Sequence, residues 1–248
     1  MGSYQQFANY YDVLTQNVDY PGRAAYFDQL LERYLHKKGI LLDLACGTGS
    51  LSVLMAQKGY DVIGVDGSCE MLSLAMEKAG QTEQSVLFLC QEMENLDLYG
   101  TIDATICALD SLNHVTDFQA LIRIFQRVSL FTNPGGLFIF DVNTPYKHQQ
   151  ILGNNTYVYD LPQIYCVWQN EYQLEDQVVN IQLDFFHPQK DGSYRRTSEA
   201  FQERAYSQQT LCELLEETGF GLLDILEGDT FQAPTPTTER WVFIAEKL

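Results

Sequence analysis

Short apolar runs alternate with amphipathic stretches along most of the chain. Apolar residues dominate positions 40–44, 61–65, 86–90, 102–109 and 137–140. Runs of this length without regular polar alternation are typical of strands that are buried on both faces. The segments between them carry apolar residues at helical spacing. The pattern therefore predicts alternating strands and helices, and with them a mainly parallel sheet.

Two helix boundaries can be predicted from capping and breaking residues. After a short helix predicted over Tyr4 to Leu14, a second helix is expected to start after a break at Tyr20-Pro21-Gly22. Its inward face is predicted to carry Phe27, Leu30, Leu31, Tyr34 and Leu35. Thr116 and Gln119 match a capping box, which predicts a helix from that point with Phe118, Leu121, Ile122 and Phe125 facing inwards. Residues 133–136, Asn-Pro-Gly-Gly, have the composition of a turn.

The pattern changes between residues 144 and 206. Four β-rich runs follow one another there, at 157–159, 164–168, 178–186 and 194–201, with polar breaks between them. Two further strands near the C-terminus bring the count for the main sheet to seven. We therefore predict a core formed by residues 1–143 and 207–248. Residues 144–206 are predicted to be an inserted antiparallel sheet that covers the substrate or forms a dimer contact.

A glycine turn joins the first strand to its helix. The strand runs into Cys46-Gly47-Thr48-Gly49, and the helical pattern begins at Ser50. Gly47 and Gly49 have no Cβ, so the backbone can turn tightly and a ligand can approach its main-chain atoms. A dinucleotide fingerprint would have a third glycine at Ser52, and a phosphate loop would need a lysine that this stretch lacks. A ligand with an adenosine end and no phosphate, such as S-adenosylmethionine, fits this turn.

Two acidic residues close the first two strands. Asp43 and Asp66 are separated by 23 positions, which is near the spacing of about 20 for a carboxylate that binds ribose hydroxyls. Carboxylates on neighbouring strand ends suit the ribose and the ammonium group of S-adenosylmethionine.

The residues D-L-A-C-G-T-G at 43–49 and V-I-G-V-D-G-S-C-E-M-L at 62–72 carry a family resemblance. With them the chain resembles the class I S-adenosylmethionine-dependent methyltransferases, and in particular small bacterial members with a β-rich insertion after the fifth strand. The resemblance implies an α/β fold with a Rossmann-like sheet of seven mostly parallel strands and helices on both faces. It also implies transfer of a methyl group by in-line displacement.

The predicted cofactor-binding residues come partly from the turn and partly from the resemblance. They are Tyr11, Tyr20, Asp43, Ala45, Gly47, Gly49, Asp66, Gly67, Met71, Gln91, Glu92, Met93, Leu109 and Asp110. Tyr4, Phe7, Ala8, Tyr11 and Asp12 match a segment that lies across the cofactor in the family. The alternative for these aromatic residues is that they only cover the edge of the sheet.

The acceptor side is predicted at the ends of the fourth and fifth strands, where open α/β sheets build their sites. His114 is the candidate general base, because a histidine exchanges protons near neutral pH. Asp110, Asn143 and His148 are candidates for positioning an acceptor. His114 could instead only cap a helix. Aromatic residues of the insertion could line a cavity or simply pack; they are Tyr157, Tyr159, Tyr165, Trp168 and Tyr172.

The composition of the chain indicates which classes of binding partner are expected. With 15 Lys and Arg against 33 Asp and Glu, the net charge of −18 disfavours nucleic acid or an anionic membrane as partner. The six cysteines lack C-x-x-C spacing and are expected to be reduced thiols, and no metal site is expected from the four scattered histidines. The start of the chain is polar and aromatic, and no apolar run is long enough to span a membrane. These features predict a soluble, cytoplasmic protein.

Several functions remain open at this point. A methyltransferase acting on a small molecule is the first hypothesis, and a homodimer through the insertion is compatible with it. Methylation of a protein or a tRNA, and a cofactor-binding module without catalysis, are alternatives. An NAD-dependent oxidoreductase is opposed by Ser52 and by the endings of strands four and five.

Overall fold

The computed structural model describes residues 11, 12 and 14–248. The predicted N-terminal motif therefore lies outside the described residues at Tyr4, Phe7 and Ala8. Tyr11 and Asp12, which end that motif, are described and are helical.

The elements follow one another as the apolar pattern predicts. In chain order they are α1 (Tyr20–Tyr34), β1 (Ile40–Leu44), α2 (Ser50–Gln57), β2 (Asp61–Asp66), α3 (Cys69–Gln81), β3 (Val86–Cys90), β4 (Ile102–Cys107), α4 (Phe118–Phe131), β5 (Thr132–Asn143), β6 (Thr156–Leu161), β7 (Ile164–Gln173), β8 (Val178–Pro188), β9 (Tyr194–Arg204), α5 (Gln208–Glu217), β10 (Phe220–Glu227) and β11 (Arg240–Lys247). Short 3-10 turns lie at Met93–Asn95 and Ser111–His114, and a π-helical turn lies at Lys147–Leu152.

Seven strands form one mostly parallel sheet, in the order β10-β11-β5-β4-β1-β2-β3. The strands from β5 to β3 run parallel to their neighbours, while β11 runs antiparallel to both β5 and β10. The predicted Rossmann-like sheet is thereby confirmed. The chain order reverses between β1 and β4, and the carboxyl ends of strands at such a point form the crevice where ligands bind.

Helices cover both faces of this sheet. Alternate residues of β5 show the two layers, since Leu137 and Ile139 pack with α1 and α2, while Phe138 and Phe140 pack with α4 and α5. Strands buried on both faces need apolar residues at successive positions. This requirement explains the continuous apolar runs of the sequence.

The predicted antiparallel sheet is also present, as β6-β7-β8-β9. It has an apolar cluster of its own, centred on Ile164, Cys166, Ile181 and Phe185. The domain boundaries at 144 and 206 stay a prediction. No helix in the described part of the chain is long and apolar enough to cross a membrane.

Two predicted helix starts are wrong. α1 begins at Tyr20 and not after the Tyr20-Pro21-Gly22 stretch, because proline suits the first turn of a helix and Asp19 caps it by accepting from the Gly22 N–H at 3.0 Å. α4 is capped by Asp117 rather than Thr116, since Asp117 accepts from two backbone N–H groups. Phe118, expected to face inwards, is 38% exposed.

Strand ends near the predicted turn also differ from expectation. β4 stops at Cys107 rather than Leu109, where the backbone becomes left-handed. Residues 133–136 lie within β5 instead of forming a separate turn. The pairing moves from Ile102 opposite Thr132 to Ala104 opposite Leu137, so the strand bulges and absorbs the additional residues.

Candidate active site

Three left-handed residues shape the turn after β1. Ala45, Gly47 and Gly49 have φ values of +61°, +55° and +70°. A Cβ on Gly49 would lie 2.7 Å from the Cβ of Ala75, so this glycine lets α2 pack against α3. A Cβ on Gly47 would meet none of the described atoms within 4 Å. The open space beside Gly47 therefore leaves room for a ligand against the main chain.

Asp43 is buried at the end of β1. Only 2% of the residue is exposed, and its Oδ2 accepts a 2.5 Å hydrogen bond from the Ser52 hydroxyl. Burial raises the pKa of Asp43 to about 7, helped by the nearby charge of Asp66 and opposed by the Ser52 bond. Ser52 stands where a dinucleotide fingerprint has its third glycine. Its hydroxyl donates a hydrogen bond to the carboxylate of Asp43 and so favours its ionised form.

Asp66 links the ends of β1 and β2. Its Oδ2 accepts from the Gly47 N–H and its Oδ1 from the Ser68 N–H, both at 2.8 Å. Burial raises the pKa of Asp66, and these two bonds oppose the rise. Each oxygen still has acceptor capacity for a ligand hydroxyl.

A small cavity lies beside the turn at the point where the strand order reverses. It brings together six of the predicted cofactor residues, Tyr11, Tyr20, Asp43, Ala45, Gly47 and Leu109. It adds Cys46, Thr48, Ser50, Leu51, Ala108 and Ser111, which were not predicted. Tyr11 and Tyr20 share a hydrogen bond, and burial raises the pKa of both hydroxyls. Their phenols are therefore neutral at physiological pH.

The segment that carries Tyr11 is fastened to the turn by polar contacts. Thr48 Oγ1 donates to Asp12 Oδ1 at 2.7 Å. The Nζ of Lys78 lies 3.0 Å from Asp12 Oδ2 and donates to the Ser50 hydroxyl at 2.5 Å. Sequence reasoning placed Asp12 only by its family motif and missed Thr48, Ser50 and Lys78, which come from separate elements.

The remaining predicted cofactor residues cluster at the ends of β2 and β3. A Cβ on Gly67 would lie 2.9 Å from the Glu92 carboxylate, so these two residues face each other. Met71 is 4% exposed, and Met93 packs against the main core. Gln91 differs from the others, because its amide exchanges two hydrogen bonds with the backbone of Asp97 and so fixes the following loop.

A disulfide joins Cys69 to Cys90, contrary to the expectation that all six cysteines are reduced. Cys69 opens α3 and Cys90 ends β3, and the adjacent strand ends bring their Cα atoms to 5.6 Å. The other four cysteines are free thiols, at positions 46, 107, 166 and 212. The bridge ties together the two loops that carry Asp66 and Glu92.

Asp110 follows β4 on a strained turn. Leu109 and Asp110 have φ values of +58° and +55°, which non-glycine residues adopt only when their surroundings impose it. Both backbone N–H groups donate to the buried carboxylate of Asp141, at 2.9 and 2.8 Å. Burial alone would raise the pKa of Asp110, but the charges of Arg240, Lys147 and His114 hold it well below its usual range.

Asp141 accepts both of these backbone hydrogen bonds and so holds the strained turn in place. This role was not predicted from the sequence. The residue is fully buried and accepts from Arg23 at 2.9 Å and from Arg240. Arg240 also binds Asp110 at 2.6 Å. Asp141 therefore holds the turn that presents Asp110 and is balanced by two guanidinium groups.

The structure brings His114 and His148 to one carboxylate. Glu203 of β9 places Oε1 3.7 Å from Nε2 of His114 and Oε2 3.4 Å from Nε2 of His148. The Phe201 ring lies beside His114, with 5.2 Å between centroids. Sequence reasoning named both histidines but missed Glu203, which is remote in the chain. Asn143 is buried, and its side chain accepts from Lys147 at 2.9 Å.

Ligand atoms of Asp110, His114 and Glu203 lie within 4.8 Å of one another, a grouping with the donor types of a metal site. Arg240 and Lys147 face the same Asp110 carboxylate. A divalent cation would therefore compete with two positive side chains that are already in place.

The aromatic residues of the insertion mostly pack among themselves. Trp168 contacts the rings of Tyr157 and Tyr159. Tyr159, Trp168 and Tyr172 also border the apolar cluster of the second sheet. Packing therefore accounts for these three side chains, while Tyr165 contacts the ring of Phe186.

Comparison with known proteins identifies a protein family that this chain matches. A family model described as a methyltransferase domain matches residues 41–136, which include the glycine turn and Asp66. The Bacillus subtilis (strain 168) protein "Putative methyltransferase YqeM" is 32% identical over 98% of this chain and 97% of its own length.

Solved structures agree with these matches. An S-adenosylmethionine-dependent methyltransferase from Clostridium acetobutylicum ATCC 824 is 31% identical, with a TM-score of 0.88 over 99% of both chains. CalS10, an amino pentose methyltransferase from Micromonospora echinaspora whose structure has S-adenosylmethionine bound, shares the fold with a TM-score of 0.78. It is 18% identical, and the match covers 96% of each chain.

Proposed function

Because the chain belongs to the S-adenosylmethionine-dependent methyltransferases, we propose that it methylates a small molecule whose nucleophilic nitrogen or oxygen carries a proton. The observation that carries this proposal is the position of His114. Its imidazole lies beyond the carboxyl end of β4, beside Glu203 and near Asp110. A proton-accepting group there is needed only for acceptors that must lose a proton.

The cofactor is S-adenosylmethionine, and the turn after β1 fits it. We assign the open space at Gly47 to its main-chain contact and Asp66 to its ribose hydroxyls. Asp43 lies in the same cavity and suits the ammonium group, because a positive charge beside a buried carboxylate offsets the cost of ionising it. Tyr11 and Tyr20 line the same cavity.

The ends of β2 and β3 are assigned to the adenine. Gly67 faces Glu92 there, and Met71 and Met93 lie in the helical segments that follow these two strands. Glu92 offers acceptor oxygens, and the two methionines offer apolar, polarisable surface. The amide of Gln91 is already bonded to Asp97, so we assign its contact to the backbone alone.

The chain's own contribution to methyl transfer is orientation and proton removal. The bound cofactor supplies a methyl group on a positively charged sulfur, which carries the hard chemistry. The lone pair of the acceptor forms the new bond to this methyl group, and the electron pair of the broken carbon–sulfur bond stays on sulfur. The acceptor's proton passes to His114. Holding the partners in line and dry accounts for most of the acceleration.

A screen of acceptors tests this function. Purified protein is incubated with S-adenosylmethionine and panels of small amines and alcohols, and S-adenosylhomocysteine and product masses are measured. We expect turnover with at least one member, reduced about 100-fold or more in His114→Asn, because a positioned base contributes roughly 10²–10⁴. His36→Asn is the matched control, since His36 is exposed and is not among the residues that line the cavity.

Two outcomes would contradict the proposal. Equal turnover by wild type and His114→Asn across pH would remove the base. Methylation of a tRNA or a protein without turnover of any small molecule would replace the acceptor class, although the net charge of −18 disfavours a polyanionic partner.

A homodimer through the second sheet is a further part of the proposal. Large apolar side chains are exposed there, among them Val158, Leu174 and Tyr194, and light scattering of the purified chain tests the assembly. The cytoplasmic location expected from the sequence stays a prediction. The Cys69–Cys90 bridge counts against it, because disulfides are rare in reducing compartments.

A further inference from the structure

A carboxylate from the second sheet lies between two histidines that follow strands of the first. Glu203 is only 4% exposed, and its two oxygens face Nε2 of His114 and Nε2 of His148 at 3.7 and 3.4 Å. We propose that Glu203 is a positioning residue that holds His114 in the orientation and tautomer needed to accept a proton. This inference rests on the function proposed above for His114.

The backbone beside Glu203 is fixed to the turn that carries His114. The Asn113 amide donates to the carbonyl of Arg204 at 2.9 Å, and the Arg204 guanidinium donates to the carbonyl of Thr116 at 2.8 Å. These contacts fix the end of β9 to Asn113 within the Ser111–His114 turn and to Thr116 just after it. The second sheet therefore does more than cover the site, because it delivers a charged group to it.

His148 explains how Glu203 itself is held. The residue is fully buried, and neither of its ring nitrogens has a hydrogen-bond partner among the described residues; the same is true of Glu203 Oε2. A buried carboxylate without a donor is costly, and the 3.4 Å ion-pair contact with His148 Nε2 is the contact that keeps Glu203 Oε2 turned toward this histidine. With Oε2 occupied in this way, Oε1 remains directed at His114.

The expected consequence for His114 is a defined tautomer. Its Nε2 carries the hydrogen toward Glu203, and Nδ1 is the ring nitrogen assigned to accept the acceptor's proton. When that proton arrives, the nearby carboxylate stabilises the imidazolium. A carboxylate that orients a histidine in this way acts without touching the acceptor.

The other charged groups around His114 are already engaged. Asp110 is paired with Arg240 at 2.6 Å, and Lys147 donates to Asn143 at 2.9 Å while facing Asp110 and Glu203. Glu203 is thus the carboxylate that faces Nε2 of His114 from the second sheet.

Nitrogen-15 spectroscopy of the full chain tests the inference without any acceptor. Ring nitrogen shifts distinguish the tautomers, and the chain has four histidines, which are assigned by single substitutions. In wild type we expect His114 to be the Nε2–H tautomer. In Glu203→Gln we expect this preference to be lost, because an amide can donate as well as accept a hydrogen bond and so no longer selects one tautomer.

The matched control is Asp160→Asn, which removes an exposed carboxylate from β6 of the same sheet. In this variant the tautomer of His114 should be the same as in wild type. The His36 signal should be the same in wild type and in Glu203→Gln. A wild-type His114 in the Nδ1–H tautomer would overturn the proposal, and this result needs no variant that must fold. An unchanged tautomer in folded Glu203→Gln would overturn it as well. Unimpaired methyl transfer by His114→Asn would refute the proposed base but leave these spectra unaltered, so the two failures are distinguishable.

Discussion

Replacing Asp43 with asparagine tests how much the buried carboxylate of β1 costs the fold. Asp43 is 2% exposed, and burial raises its pKa to about 7, compared with about 3.9 for an unfolded chain. Between these two pH values the folded state keeps a proton that the unfolded state has released. Stability therefore falls as pH rises through this window, by about 1.4 kcal/mol per unit, and the loss is complete above pH 7 at roughly 4 kcal/mol.

The Asp43→Asn protein lacks this dependence, since an amide does not ionise. Between pH 5 and pH 8 its stability relative to wild type should rise by about 3 kcal/mol, which corresponds to roughly 6–12 °C in Tm for a chain of this size. Urea unfolding without cofactor, at one-unit steps of pH, measures the difference. Asp61→Asn, an exposed position of β2, is the matched control. A difference between Asp43→Asn and wild type that is constant across pH would refute the reasoning.

Three further substitutions address the cofactor site and its bridge. Asp66→Asn should weaken S-adenosylmethionine binding by about 1–3 kcal/mol, because both carboxylate oxygens accept from N–H groups and an amide offers one acceptor; unchanged affinity by calorimetry would sink the ribose assignment. Gly47→Val should abolish S-adenosylmethionine binding, whereas Gly192→Val should not, although Gly192 also has a positive φ and open space around it. Equal affinities in the two variants would contradict a cofactor contact at Gly47. Cys69→Ala should lower the free energy of unfolding by about 3 kcal/mol, as expected for a loop of 21 residues, and equal unfolding midpoints in urea would argue against the bridge.

The residues proposed to bind the cofactor could be expected to lie together because they are local in sequence. Asp43 and Gly47 belong to one strand–turn–helix unit, and Asp66 ends the next strand along the chain. Parallel strands that are neighbours in sequence place their ends together without further information. The disulfide was missed, although it could have been predicted in the same way. Cys90 pairs with Asp66 across β2 and β3, and it therefore lies close to Cys69, the first residue of α3.

The acceptor half could not be predicted to the same depth. His114, His148 and Glu203 lie on three separate segments, and only the docking of β9 onto the 3-10 turn after β4 brings them together. No periodicity or spacing records that docking. Asp141 was visible as the end of an apolar strand, but its role depends on Arg23 and Arg240 from opposite ends of the chain.

The most direct test of the central claim is calorimetric titration of the purified chain with S-adenosylmethionine, S-adenosylhomocysteine and NAD in parallel, with Gly47→Val as the matched variant. We expect both sulfur ligands to bind the wild type, neither of them to bind Gly47→Val, and NAD to bind neither protein. Binding of NAD, or undiminished binding of S-adenosylhomocysteine by a folded Gly47→Val protein, would contradict the assignment of the turn after β1 as the cofactor site.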